Sequence, residues 1–119
     1  MSHLVKKDSF ELVEGLEKPT TLADGTDLND VIESGVYILP PSPPYDGGGI
    51  KNVPMKSIGT AMAQVVYDNS ILLVAGNETA ITQVMIIPND VDPVIIAMAV
   101  RSKTGSNSWG SWRLVKAGL

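Results

Sequence analysis

From Gly59 onward the chain alternates short apolar runs with turn residues at roughly ten-residue spacing, and this rhythm limits the fold more than any other feature. Residues 60–67, 70–75, 80–87 and 94–101 are β-branched or aliphatic runs, and 109–116 adds a last one. Asp68-Asn69, Gly76-Asn77, Pro88-Asn89-Asp90 and the polar stretch 103–107 close the runs. Short strands with short connections read as an antiparallel meander. The predicted fold is therefore mainly β, an antiparallel sheet or a small sandwich. Residues 94–100 are nearly all apolar, which predicts a strand within the sheet whose two faces are covered, by a helix or a partner subunit.

The first part of the chain has a different character. Residues 1–25 read as an N-terminal arm, with a short strand or turn at Ser9-Phe10-Glu11-Leu12-Val13-Glu14-Gly15. One short α-helix is predicted near residues 27–34, because Leu28, Val31 and Ile32 fall at helical spacing. Thr26 or Asp27 can cap it, Asp30 suits the positive end of its dipole, and Ser34-Gly35 stops it. Two turns do not stand without packing, so these three side chains are expected on the sheet. Val65, Ile86, Ile96, Met98, Val100 and Leu114 are the other core candidates. Residues 35–39 are strand-like, and 40–49 hold four prolines and three glycines, a loop that runs on to residue 54. The expected organisation is an arm, 1–25, held by partner contacts, and a β domain, 26–119.

Composition removes several function classes. With 119 residues the chain is one domain's worth. It has no Cys, so no thiolate nucleophile and no Cys-ligated metal. Its single histidine, His3, sits in a polar stretch, which argues against a His-based triad. No apolar run approaches the length of a membrane-spanning helix, and no secretory leader is visible. The net charge of −4 argues against a phosphate backbone as partner. Charged residues are only 18 % of the chain, little charge to oppose association.

Few residue groups can carry chemistry. Asp24, Asp27, Asn29 and Asp30 cluster oxygens as calcium loops do, but without EF-hand spacing, and a turn plus helix cap explains them. Asp90 and Asp92 can share a strand face and hold a cation; the simpler reading is a solubilised hairpin tip. Glu33 and Glu78 have no acid or base partner in the sequence. Gly47-Gly48-Gly49 lacks the Lys-Ser/Thr of a phosphate loop and reads as a flexible loop. No catalytic, cofactor or metal residue is assigned. Trp109 and Trp112 are three apart, so in a regular strand they face opposite sides unless a bulge at Gly110 brings them together. One then fills the core and the other serves an interface or stacks on a sugar.

The order of these pieces resembles the pyocin-knob modules of bacteriophage tail fibres and related tail-like particles. Asp27-Leu28-Asn29 is followed by Gly35-Val36-Tyr37, Asn52-Val53-Pro54, Gly59 opening an apolar strand, and Ile81-Thr82-Gln83. Ala99-Val100-Arg101 and Trp109-Gly110-Ser111-Trp112-Arg113-Leu114 complete the series. The likeness covers residues 26–115. The proline-rich loop and Ser34 depart from the family pattern, and the chain carries no fibre shaft. The resemblance implies a non-enzymatic virion structural protein: a small tail-fibre or tail-appendage module, adaptor or receptor-binding, assembling as a homo-oligomer, a trimer above all. It implies other virion proteins as partners, a location on the tail or head surface, and neither nucleic acid nor membrane insertion. Two alternatives stand beside it, a capsid decoration protein and a module binding host surface glycan through Trp109 or Trp112 with Asn107, Asp90 or Asp92. The interface or ligand candidates are Phe10, Tyr45, Arg101, Trp109 and Trp112.

Overall fold

The computed structural model describes residues 18–44, 48–105 and 108–118. Eight strands form in chain order: β1 (Thr20–Thr21), β2 (Gly35–Ile38), β3 (Met55–Ile58), β4 (Ala61–Gln64), β5 (Ile71–Asn77), β6 (Ala80–Ile86), β7 (Ile96–Thr104) and β8 (Arg113–Lys116). Six of them make one sheet in the order β1-β2-β5-β6-β7-β8, and β3 and β4 form a separate hairpin. The fold is mainly β, as the strand rhythm predicts. The large sheet is antiparallel except at its first edge, where β1 runs parallel to β2. The sheet thus begins at Thr20, inside the stretch read as an arm.

The β5–β6 hairpin runs two residues further than its turn signal suggests, pairing Asn77 with Ala80. The Asn77 carboxamide oxygen caps the turn by accepting from the N–H groups of Thr79 and Ala80. Gly76 is required there: its φ is +146°, and a Cβ would stand 2.1 Å from the Ala80 carbonyl oxygen. Strand β3 is passed over by a search for apolar runs, because Lys56 and Ser57 interrupt it.

Register sorts the side chains onto two faces. One face carries the row Tyr37, Leu72, Met85, Ala99 and Leu114 and, beside it, Gly35, Val74, Gln83 and Arg101. Leu28, Val31, Leu39, Ile50, Val53, Val65, Tyr67 and Ile87 pack with this face to form the core. Val65 and Ile96 are buried and Leu114 packs against the core, as expected. Ile96 and Ala99 are three apart yet both buried, because the ladder to β8 shifts register between Ile96 and Met98.

The opposite face carries Val36, Leu73, Val84, Val100 and Arg113 in one row and Ile38, Ile71, Ile86, Met98 and Val115 in the next. None of these belongs to the core cluster. Ile86 is 41 % and Val115 45 % exposed. Assigning Ile86, Met98 and Val100 to the core is therefore corrected: they lie on the second face. Strand β7 has the core on one side only.

The α-helix near residues 27–34 is also corrected. The segment makes one 3-10 turn, Leu28–Asp30, capped by Asp27, whose side chain accepts from the Asn29 N–H at 2.8 Å. Val31 leaves helical geometry at φ −88° and ψ 84°. Leu28 and Val31 are buried as expected, but Ile32 is 47 % exposed. The reason is tertiary. The Gln83 side chain, buried in the sheet, donates to the carbonyls of Leu28 (2.7 Å) and Val31 (3.0 Å). The first is the carbonyl that an α-helix would pair with the Ile32 N–H.

Candidate functional site

Five of the seven motif pieces read from the sequence meet in one network centred on Arg101. It sits on β7 beside Gln83 of β6. Its Nε donates to Gln83 Oε1 at 2.8 Å and its Nη1 to Asn29 Oδ1 at 2.9 Å. The guanidinium lies 4.4 Å from the Trp109 ring centroid and 4.5 Å from that of Trp112, so two indoles flank one cation. Both rings are held in turn: Trp109 donates its Nε1–H to the Asn29 carbonyl (3.1 Å), and Trp112 to the Asn52 carbonyl (2.9 Å).

The loop elements close the network. The Asn52 side chain donates to Asp27 Oδ1 at 2.7 Å. Leu28 N–H donates to the Lys51 carbonyl and Lys51 N–H to that of Thr26, so the two segments lie side by side. Asn52 takes a left-handed φ of 63°, which asparagine tolerates better than most residues. Hydrogen bonds from Asn52 and from the Asn29 N–H hold the Asp27 carboxyl below its ordinary value. Burial pushes Arg101 down to about 10, partly countered by the charge of Asp27, so Arg101 remains cationic at neutral pH.

Trp109 and Trp112 thus share one guanidinium instead of dividing between two faces. The alternation argument fails because residues 108–112 are not strand; β8 begins at Arg113. Phe10, Tyr45 and Asn107 lie outside the described residues. Three of the four side chains weighed as a calcium loop are engaged otherwise: Asp27 caps the turn, Asp24 accepts from Gly49 N–H at 2.8 Å, and Asn29 Oδ1 accepts from Arg101. Among the described residues no three His, Cys, Asp or Glu side chains gather as a metal site would need, and no helix is long and apolar enough to cross a membrane. Gly49, read as part of a flexible loop, is buried against the Tyr67 hydroxyl, which a Cβ would meet at 2.6 Å.

Beside Arg101 a cleft of about 410 Å³ opens between the β3–β4 hairpin and residues 110–112. Val53, Met55, Met62 and Trp112 supply its apolar lining, with Asn52, Gly110, Ser111 and Arg101. Met55 and Met62 are 42 % and 59 % exposed.

A second polar centre is structural. Lys56 of β3 and Asp90 form a buried ion pair at 2.7 Å. Lys56 Nζ also donates to the carbonyls of Val91 and Val94, and Asp90 accepts from the N–H groups of Val66 and Ile96. Asp90 is therefore neither a hairpin-tip solubiliser nor available to a sugar, whereas Asp92 is exposed. Sequence reasoning missed Lys56, although a lone lysine between Met55 and Ser57 in a strand buried on one side is a usable signal.

Burial alone raises the Asp90 carboxyl, but the Lys56 ammonium and the two backbone donors outweigh it and hold it below its ordinary 3.8. A carboxyl with a lowered folded-state pKa contributes stability above its unfolded value and loses it as the pH falls through the folded one. Denaturant midpoints measured across pH are expected to be level near neutrality and to fall below 3.8. An Asp90→Asn variant, already destabilised, should show a shallower acid limb; an unchanged acid limb would mean that other carboxyls set it.

No family model, no curated protein and no solved structure matches this chain.

Proposed function

We propose that this protein is a structural module of a bacteriophage particle, a small tail-fibre or tail-appendage component that acts through oligomeric assembly and not through catalysis. The observation that carries this reading is the second face of the sheet, two adjacent rows in which Arg113 is the only charged side chain. Val36 on β2 is itself buried, so at about 4.8 Å per strand the four strands β5 to β8 make an apolar surface roughly 15 Å across. Monomeric proteins rarely leave so large a contiguous apolar patch to water. A second copy of this chain is the occupant we assign, since an apolar surface whose one charge, Arg113, sits on the edge strand β8 is self-compatible and needs no complementary charge. A trimer is the favoured assembly.

Sedimentation of the full chain at micromolar concentration is expected to show the oligomer. Ile86→Asp, on the exposed face and outside the core cluster, is expected to give a folded monomer. A wild-type monomer, or an Ile86→Asp variant that still assembles, would overturn the reading.

The cleft beside Trp112 favours a second reading, a module that binds host surface glycan. The indole is half-buried, oriented by its bond to the Asn52 carbonyl, and set in a cleft with exposed methionines.

A further inference from the structure

Among the described residues the cleft has one ionisable group in its lining, Arg101, in a chain whose net charge is −4. Arg101 is 4 % exposed as a residue, and the hydrogen-bonded partners of its guanidinium, Gln83 Oε1 and Asn29 Oδ1, are both neutral carbonyl oxygens. Among the described residues no carboxylate stands within ion-pair distance of it. Its third nitrogen, Nη2, is buried without any acceptor. Buried donors are satisfied in nearly all native structures, and an unsatisfied one calls for an explanation. Here the donor belongs to a cation at the edge of a cleft of about 410 Å³, within the range of small-molecule sites.

We propose that the cleft binds the carboxylate of an acidic sugar. This rests on the second reading above and names its ligand class. Three features select that chemistry. Among the described residues the guanidinium has no carboxylate in ion-pair contact, only the charge of Asp27 nearby, and so favours an anion; a carboxylate makes with arginine one of the stronger charge-assisted hydrogen bonds. The half-buried Trp112 indole offers a flat apolar surface for the C–H face of a pyranose ring. It needs little ordering on binding, because the Asn52 carbonyl and Arg101 already hold it. The exposed Met55 and Met62 side chains supply apolar lining beside the ring, and Ser111 adds a polar lining residue. Nη2 itself is buried, so a carboxylate in the cleft reaches it through a bridging water or after neighbouring side chains shift.

The test is a titration of the full chain followed by the indole N–H signal of Trp112 in two-dimensional NMR. The probes are D-glucuronic acid, its methyl ester and D-glucose. The acid is expected to shift the Trp112 signal, to bind about tenfold more tightly than the ester, and to weaken as salt is added. Met62→Glu places a like charge at the exposed mouth without touching the core and is expected to abolish the shift with the melting temperature unchanged. Equal affinity for acid and ester overturns the carboxylate assignment while leaving a sugar site standing. No shift with any of the three probes overturns both. Undiminished binding by Met62→Glu puts the ligand elsewhere and overturns the proposal.

Discussion

Lys56→Met is expected to destabilise the protein by about 3–5 kcal/mol near neutral pH, the cost of leaving one member of a buried ion pair without the other. The side chains of Lys56 and Asp90 are 4 % and 0 % exposed. Removing the ammonium strands the Asp90 carboxylate and also deprives the Val91 and Val94 carbonyls of their donor. Against a typical total of about 5–15 kcal/mol, that is a large fraction of the domain's stability. The variant has a second signature. Without the ammonium, burial is opposed only by backbone donors and drives the Asp90 carboxyl upward. The deficit relative to wild type is therefore expected to narrow as the pH falls and the stranded carboxyl protonates. Urea unfolding at several pH values checks both statements, and a pH-independent deficit would count against the assignment.

Arg101→Met is the other large change, with an expected cost of about 3 kcal/mol. Two acceptors lose their donor, Gln83 Oε1 and Asn29 Oδ1, at about 1–3 kcal/mol each, and two indole contacts with a cation are lost. Relief from holding a charge in a buried place offsets part of this. Arg101→Lys is expected to recover little, because an ammonium cannot present the fork that reaches both oxygens between two rings. A distinctive readout accompanies the loss. Both indoles are anchored beside the guanidinium, so the near-ultraviolet circular dichroism and tryptophan emission should change in the folded state. A variant as stable as wild type, with unaltered tryptophan spectra, would contradict the central place given to Arg101.

Much of this site was legible as a set of residues and little of it as geometry. Asp27, Asn29, Asn52, Gln83, Arg101, Trp109 and Trp112 all fall within the quoted motif pieces, and the structure brings all seven together. Their bonds span 18 to 80 residues of sequence, so no local pattern can say which meets which. The two tryptophans show the limit. Alternation would separate them, but it holds only within a strand, and β8 starts one residue after Trp112. The 3-10 turn shows it again. Leu28, Val31 and Ile32 have helical spacing, yet a glutamine 55 residues away from Leu28 takes the carbonyl that an α-helix would pair with the Ile32 N–H.

By itself the sequence determined the class of fold: mainly β, with strand positions set by where apolar runs end in turn residues. It also determined the chemistry absent from the chain, since a protein with no Cys and one His has few ligands for metals or nucleophilic catalysis. Those are local or compositional properties, and the chain carries them before it folds. Only the tertiary structure decided which face of the sheet becomes core and which stays open, because both faces of β7 are apolar. It alone turned Lys56 and Asp90, 34 residues apart, into a buried pair. And it alone set Arg101 between two indoles, because a buried cation must find its partners wherever packing brings them, and those positions belong to the assembled sheet and loops.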